Sequence, residues 1–250
     1  MNVRIPRRSA LTQLAAGSAL ALLGRPLLAH QPVSSASQAT SGSPLKVLAS
    51  FSILDDLVRQ VGGSLVQVSA LVGPDGDAHA YSPSAQDARR LNGAQVLVTN
   101  GLGFEHWLQR LKKASNFHGL EIVASQGVAP RPFEEADHDA AHEDSHSHAH
   151  DERAHDAHEE AAEAEHEHGT VDPHAWQNVA NVIIYVRNIA QGLSQADPAH
   201  ASRYAAQAQA YTQQLKALDA RIRTTISGIP AARRQLVTTH DAFGYFEAAY

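Results

Sequence analysis

Four short apolar segments alternate with helix-like segments through the first half of the chain, and this alternation most constrains the fold. The segments that predict buried strands are "LKVLAS" (45–50), "LVQVSAL" (65–71), "QVLVTN" (95–100) and "LEIVAS" (120–125). The segments between them that predict helices are "ILDDLVRQVG", "SPSAQDARRLNGA" and "FEHWLQRLKKA". This order is typical of an α/β fold with a parallel sheet, in which ligands bind beyond the carboxyl ends of the strands.

Local signals predict where helices begin, and they predict one long helix in the second half of the chain. Ser82 followed by Pro83 predicts the start of the second helix. After residue 169 the chain turns helical, first in "PHAWQNVANVIIYVRNIAQGLSQ" and then from Asp197 to about Ser227. The second of these helices would be about 45 Å long, enough to brace two lobes. "RQLVTT" (234–239) predicts one further strand, so a second sheet would be incomplete in this chain.

An acidic segment rich in histidine, here called the acidic histidine tract (residues 134–169), interrupts this pattern. It holds fourteen acidic residues and one arginine, although the whole chain has a net charge of only −6. With almost no large apolar side chains, it is expected to be a disordered insertion. The rest of the chain is close to neutral apart from basic residues near the N-terminus, which argues against a nucleic-acid partner. The tract contains nine of the sixteen histidines: His138, His142, His146, His148, His150, His155, His158, His166 and His168.

The N-terminus has the order of an export signal. Three arginines, Arg4, Arg7 and Arg8, precede the apolar stretch "ALTQLAAGSALALL", which is short for a membrane span. The twin arginine in "PRRSAL" is compatible with export of the folded protein, and the general secretory route is the alternative. Small residues suited to cleavage are Ala29, Ala36 and Ala39. We expect a periplasmic protein.

Any bound metal must be held by nitrogen and oxygen ligands, because the chain has no cysteine. Such ligands favour zinc, manganese, nickel or iron over Cu(I) or iron–sulfur clusters. His79, His174 and His240 each lie in a turn or loop beside the end of a predicted element. A single histidine in such a place is more often a surface or capping residue than a ligand. Three of them in equivalent places make a metal site a hypothesis worth testing.

Four segments occur in an order that is specific to one family. They are "VGPDGDAHAYSPSAQD", "NGLGFEHWLQRL", "DPHAWQNVAN" and "TTHDAFGYFEAAY". With them, nearly the whole mature chain resembles the substrate-binding proteins of bacterial zinc/manganese ABC importers. In that family an acidic, histidine-rich insertion between the first two ligand segments is typical of zinc-selective members.

The resemblance implies a metal site formed by His79, His174 and His240 in a cleft between two lobes, which a long helix would bridge. Three neutral imidazoles suit Zn2+. Manganese-selective members have a carboxylate at the third ligand position, so His240 makes Mn2+ the less favoured ion. The fourth ligand stays open between an Asp of the C-terminal lobe, an acidic residue in the first ligand loop, and water. Asp77 is a candidate, although a turn role suits it better.

Three acidic residues are candidates for holding the second nitrogen of an imidazole: Asp172, Asp241 and Glu105. Asp172 could equally cap the helix that follows it. Glu105 fits either a charge at a helix start or a group lining the cleft. Trp107 is expected in the core.

The implied organisation has six parts. They are a signal peptide and cleavage region (1–39), an N-terminal α/β lobe (40–133), the acidic histidine tract (134–169), a ligand-bearing helix (170–197), a long bridging helix (198–228) and the start of a C-terminal α/β lobe (229–250).

The function implied is capture of Zn2+ by a monomer and delivery to the membrane permease of an ABC importer. A zinc hydrolase with a water in the fourth position is the enzymatic alternative. No His-Glu-x-x-His, Gly-x-Ser-x-Gly or phosphate-binding glycine motif supports it, so we expect no enzyme. A further alternative is a metal buffer acting through the tract, whose sites should be weak because binding must order it. The remaining alternative for the tract is an acidic segment that only increases solubility.

Overall fold

The computed structural model describes residues 42–133, 170–238 and 240–250. The predicted signal peptide and the acidic histidine tract lie outside these ranges. Within them, no helix is long and apolar enough to cross a membrane.

A parallel four-stranded sheet forms the centre of the fold. Its strands are β1 (Leu45–Phe51), β2 (Val66–Val72), β3 (Val96–Thr99) and β4 (Leu120–Val123), in the order β2-β1-β3-β4. The inner strands β1 and β3 are buried almost throughout, as expected for apolar strands covered on both faces. The α/β fold and the four strands predicted from the sequence are therefore confirmed. Because the strands are parallel, their carboxyl ends meet at one edge of the sheet.

The helices cover the sheet and each other. The first three are α1 (Ser52–Gly62), α2 (Ala85–Asn92) and α3 (Leu108–Ser115), and they are followed by α4 (Val179–Ala196) and α5 (Ala201–Ser227). Helix α4 packs against β3, β4 and α1, and α5 packs against α1 and α4. Gly192 of α4 permits this close approach, because a Cβ there would lie 2.3 Å from Ile122 Cδ1.

Helix α5 is the long helix expected from the sequence. Its 27 residues span about 40 Å. Its buried side chains are Tyr204, Ala208 and Leu215, all in the first fifteen residues. The last three turns therefore add no fully buried side chain to the core formed by the described residues.

Two helices begin later than the sequence predicted. Helix α2 starts after Ser84 rather than Ser82, because Ser84 and Asp87 form a capping box in which each side chain bonds the other residue's backbone N–H. Helix α3 starts at Leu108 rather than Phe104. The Glu105 side chain is held in the preceding turn, where its carboxylate accepts from the Asn100 and Gly101 N–H groups.

The predicted helix starting at Pro173 is divided in two. A short 3-10 turn covers Ala175–Gln177, and α4 follows with Asn178 as its cap, since the Asn178 side chain accepts a hydrogen bond from the Ala180 N–H. Asp172 is therefore not the cap of α4.

The strand predicted at 234–239 is wrong over the part that is described. Residues 234–238 have no regular structure, and Val237 is 93 % exposed. A strand needs a hydrogen-bonded neighbour, and none of the described residues provides one for this segment. The chain instead reaches a short helix, α6 (Gly244–Ala249). The two-lobe organisation stays a prediction.

Candidate metal centre

A two-stranded antiparallel ladder precedes the second histidine. It pairs β5 (Arg131–Pro132) with β6 (Val171–Asp172), and the Phe133 N–H extends it by donating to the Thr170 carbonyl at 3.3 Å. The hydroxyl of Tyr245, in α6, accepts from the Arg131 N–H at 2.9 Å. The ladder therefore joins the two residues that flank the acidic histidine tract and ties α6 to them.

Three histidines converge beside this ladder. His79 lies in the loop after β2, His174 follows β6, and His240 precedes α6. The Nε2 atom of His174 lies 3.0 Å from Nε2 of His79 and 3.2 Å from Nε2 of His240. One ligand atom from each ring lies within 4.8 Å of the others. Two nitrogens bound to one tetrahedral zinc ion would be about 3.3 Å apart, so this spacing suits ligands that share an ion.

His174 is the most firmly held of the three. It is 2 % exposed, and Asp172 beside it is 3 % exposed. Asp172 Oδ1 lies 2.7 Å from His174 Nδ1 and also accepts from the His174 N–H at 2.8 Å. With Nδ1–H donating to this carboxylate, the lone pair on Nε2 faces the other two histidines. Asp172 thus makes the contact expected of a residue that orients a metal-binding imidazole.

The loop that carries His79 is fixed by its own side chains and by the core. Asp77 Oδ1 accepts from the His79 N–H at 2.8 Å, which closes a turn. Trp107, fully buried as expected, donates from Nε1 to the Ala78 carbonyl at 3.1 Å. Phe104 packs edge-on against the His79 ring, with the ring centroids 4.8 Å apart. His79 is therefore half-buried in a loop of defined shape.

The surroundings of His240 differ from those of His79 and His174. It is exposed, and it belongs to the irregular segment between α5 and α6. Its carbonyl accepts from the Thr238 hydroxyl at 2.8 Å, and its ring centroid lies 5.0 Å from that of His79 and 5.1 Å from that of His174.

A buried polar network lies behind the site, at the carboxyl ends of β1 and β3. Glu105 Oε1 accepts from the Ser50 hydroxyl and from the Asn100 N–H, both at 2.6 Å, and Oε2 accepts from the Gly101 N–H at 3.1 Å. Burial raises the pKa of Glu105 above its ordinary value, although these hydrogen bonds oppose the shift. Glu105 therefore fixes the backbone turn after β3, and its carboxylate makes no hydrogen bond to a histidine ring of the described residues.

Asn100 extends this network toward His174. Its side-chain Nδ2 donates to the Pro173 carbonyl at 2.9 Å, and its Oδ1 accepts from the Tyr185 hydroxyl at 2.6 Å. The sequence reasoning missed the contacts of Asn100, Ser50 and Tyr185. Asn100 and Ser50 carried a signal, since polar residues at the carboxyl ends of buried parallel strands lie where ligands bind.

The remaining candidates take other places. Asp77 is not among the three converging residues, and its carboxylate closes the turn before His79. Asp241 is exposed and makes no hydrogen bond to the part of the chain that the structure describes. The nine histidines of the acidic histidine tract lie outside the described residues.

Comparison with known proteins agrees with the fold and the motifs. The family model described as "ZnuA: Zinc-uptake complex component A periplasmic" matches residues 47–250. An iron-binding protein, YfeA of Yersinia pestis, is 30 % identical over 205 residues, which are 82 % of this chain and 56 % of YfeA. A manganese-binding lipoprotein, MntA of Halalkalibacterium halodurans, is 32 % identical over 210 residues, 84 % of this chain and 59 % of MntA. The chain thus spans less than two thirds of the length of these relatives.

A solved structure reported as the crystal structure of ZnuA superposes with a TM-score of 0.64 at 25 % identity, covering 83 % of this chain and 68 % of that chain. The two relatives are described as metal-binding proteins and the family model as a component of zinc uptake, not as enzymes, as the sequence predicted. With its parallel sheet, its ordered motifs and a match over residues 47–250, the chain belongs to the ZnuA family of metal-binding, substrate-binding proteins of ABC importers.

Proposed function

We propose that this chain captures Zn2+ in the periplasm through His79, His174 and His240 and delivers it, as a monomer, to the membrane permease of an ABC importer. The observation that carries the proposal is the convergence of three Nε2 atoms, with 3.0 and 3.2 Å between neighbours. The contact of Asp172 with His174 Nδ1 at 2.7 Å supports it, because such a contact places the proton of a neutral imidazole on Nδ1 and turns Nε2 toward the metal.

Zinc is preferred for the chemistry of the three side chains. Zinc is of borderline softness and accepts imidazole nitrogen in four-coordinate sites, whereas manganese prefers oxygen ligands. The fourth position would be taken by water or by a carboxylate. Manganese or iron is the second candidate, since MntA and YfeA are described as manganese- and iron-binding.

The test is a chelator-competition titration of the full chain with Zn2+ and, separately, with Mn2+. We expect one tight site that prefers zinc and that is lost when all three histidines are replaced by alanine. His200→Ala is the matched control, because His200 forms the same kind of pair, Nδ1 to Asp197 Oδ2 at 2.7 Å, away from the site. Tight binding that survives the triple replacement would refute the site, and tighter binding of manganese would refute the choice of ion.

We also propose that the acidic histidine tract supplies weaker, auxiliary metal binding. Its nine histidines and fourteen acidic residues attract cations, but binding must first order the segment. Deletion of residues 138–168 should remove weak equivalents of zinc from the same titration and leave the tight one. Loss of the tight equivalent on deletion would favour the buffer hypothesis instead.

A further inference from the structure

We infer that Asn100 is a positioning residue for metal capture, because its buried side-chain amide fixes the peptide group from which His174 projects. The inference rests on the proposed function, since it assumes that His174 binds the ion.

The geometry centres on the peptide bond between Pro173 and His174. Its carbonyl accepts from Asn100 Nδ2 at 2.9 Å, and its N–H donates to Asp172 Oδ1 at 2.8 Å. The peptide group is planar, so holding both polar atoms fixes its orientation. The contact of His174 Nδ1 with Asp172 then fixes the ring itself. Removing the Asn100 amide would free one of the two polar atoms and let the peptide group rotate.

The orientation of the Asn100 amide is itself determined. Asn100 is fully buried, and its Oδ1 accepts from the Tyr185 hydroxyl at 2.6 Å. Burial raises the pKa of Tyr185 above its ordinary value, so this hydroxyl stays protonated and donates. With Oδ1 facing Tyr185, Nδ2 must face the Pro173 carbonyl. Glu105 holds the other end of the residue by accepting from the Asn100 N–H.

A second asparagine offers a matched control within the same fold. Asn188, on α4, donates from Nδ2 to the carbonyls of Ala124 and Gln126, each at 2.8 Å. Asn100 Nδ2 likewise donates to two backbone carbonyls, those of Pro173 at 2.9 Å and Gly101 at 3.0 Å. The partners of Asn188, however, do not adjoin a histidine of the site. A merely structural role for Asn100 would make the two asparagines equivalent in metal binding.

The experiment compares Asn100→Ala with Asn188→Ala in the full chain. Zinc affinity is measured by chelator competition, the geometry of the site by the visible spectrum of the Co2+-loaded protein, and folding by thermal unfolding. Both variants should unfold at a lower temperature than the wild type. Only Asn100→Ala should also weaken zinc binding, by about tenfold, and alter the Co2+ spectrum, because only its amide orients a ligand.

Tyr185→Phe keeps the inference testable if Asn100→Ala does not fold. It retains the ring and removes the donor that orients the amide, so a smaller loss of affinity and a shifted Co2+ spectrum are expected. Wild-type affinity and spectrum in Tyr185→Phe, or identical metal binding by the two alanine variants, would overturn the inference. If instead His174→Ala binds zinc as tightly as the wild type does, His174 is not a ligand and the proposed function fails. That result would not refute the role of Asn100 in fixing the peptide group between Pro173 and His174.

Discussion

The candidate ligands His174 and His240 lie in contact but are supported in opposite ways. His174 is 2 % exposed, and both its backbone N–H and its Nδ1 contact the Asp172 carboxylate. His240 is exposed on a segment without regular structure, beyond the end of α5. We therefore predict that the candidate site consists of a preset part, His174 with His79, and a third ligand, His240, whose position depends on the segment that carries it.

The strongest test of this difference is His174→Ala. Structural zinc sites bind with about 10–16 kcal/mol, so one of four ligands contributes roughly 3 kcal/mol, and zinc affinity should fall by at least about 100-fold. The substitution also leaves the buried Asp172 carboxylate without its ring partner, so the variant should unfold at a lower temperature. Isothermal titration calorimetry and thermal unfolding without metal measure the two effects.

His240→Ala should have a smaller effect on binding and almost none on stability. Water can replace an exposed ligand, so we expect zinc affinity to fall between about tenfold and 100-fold, with an unchanged unfolding temperature of the metal-free protein. A loss of affinity as large as that of His174→Ala would contradict the division into a preset part and a dependent third ligand.

Asp172→Asn tests whether the carboxylate of Asp172 holds the His174 ring, because it removes the charge of this side chain and keeps its shape. The asparagine Oδ1 can still accept from the His174 N–H, but it carries no charge to hold the Nδ1–H. Loss of such a partner typically weakens metal binding by about tenfold to 100-fold, and we expect the lower end of this range. Chelator competition beside wild type checks the value, and an unchanged affinity would mean that the contact at 2.7 Å does not orient the ring.

The smallest effect is expected for Val237→Thr in the irregular segment. Val237 is 93 % exposed, so the substitution should change the free energy of unfolding of the protein by no more than about 0.5 kcal/mol. Val98→Thr, the same change at a fully buried position of β3, should cost about 1–3 kcal/mol by burying a hydroxyl. Urea unfolding of the two variants measures both values, and a large effect at Val237 would show that the segment is more tightly packed than its exposure indicates.

The sheet could be predicted because each strand is specified by its own residues. Runs such as "QVLVTN" are apolar throughout, since β3 is covered on both faces, and the turns between elements carry glycine and proline. The three histidines could be singled out because they lie at element ends and within long motifs. The distances between the three histidines could not be predicted, since they depend on how the ladder, the loop that carries His79 and α6 pack together.

Local patterns failed where a distant partner decides the conformation. "RQLVTT" has the composition of a strand, but residues 234–238 lack a neighbouring strand among the residues described. Glu105 has the spacing of a helix-start residue, yet its carboxylate turns back to bond Asn100 and Gly101. The link from Asn100 to Pro173 joins residues 73 positions apart, beyond the reach of any local pattern.

The ladder between β5 and β6 has a consequence for how this chain can vary. It joins Phe133 to Thr170 directly in front of His174, so the 36 residues between them begin and end at one hydrogen-bonded point. The free energy of closing a flexible loop rises by only about 0.6 kcal/mol for each doubling of its length. The composition of this insertion predicts a disordered segment, so a change in its length is expected to cost little in folding, while the histidine that follows it keeps its place.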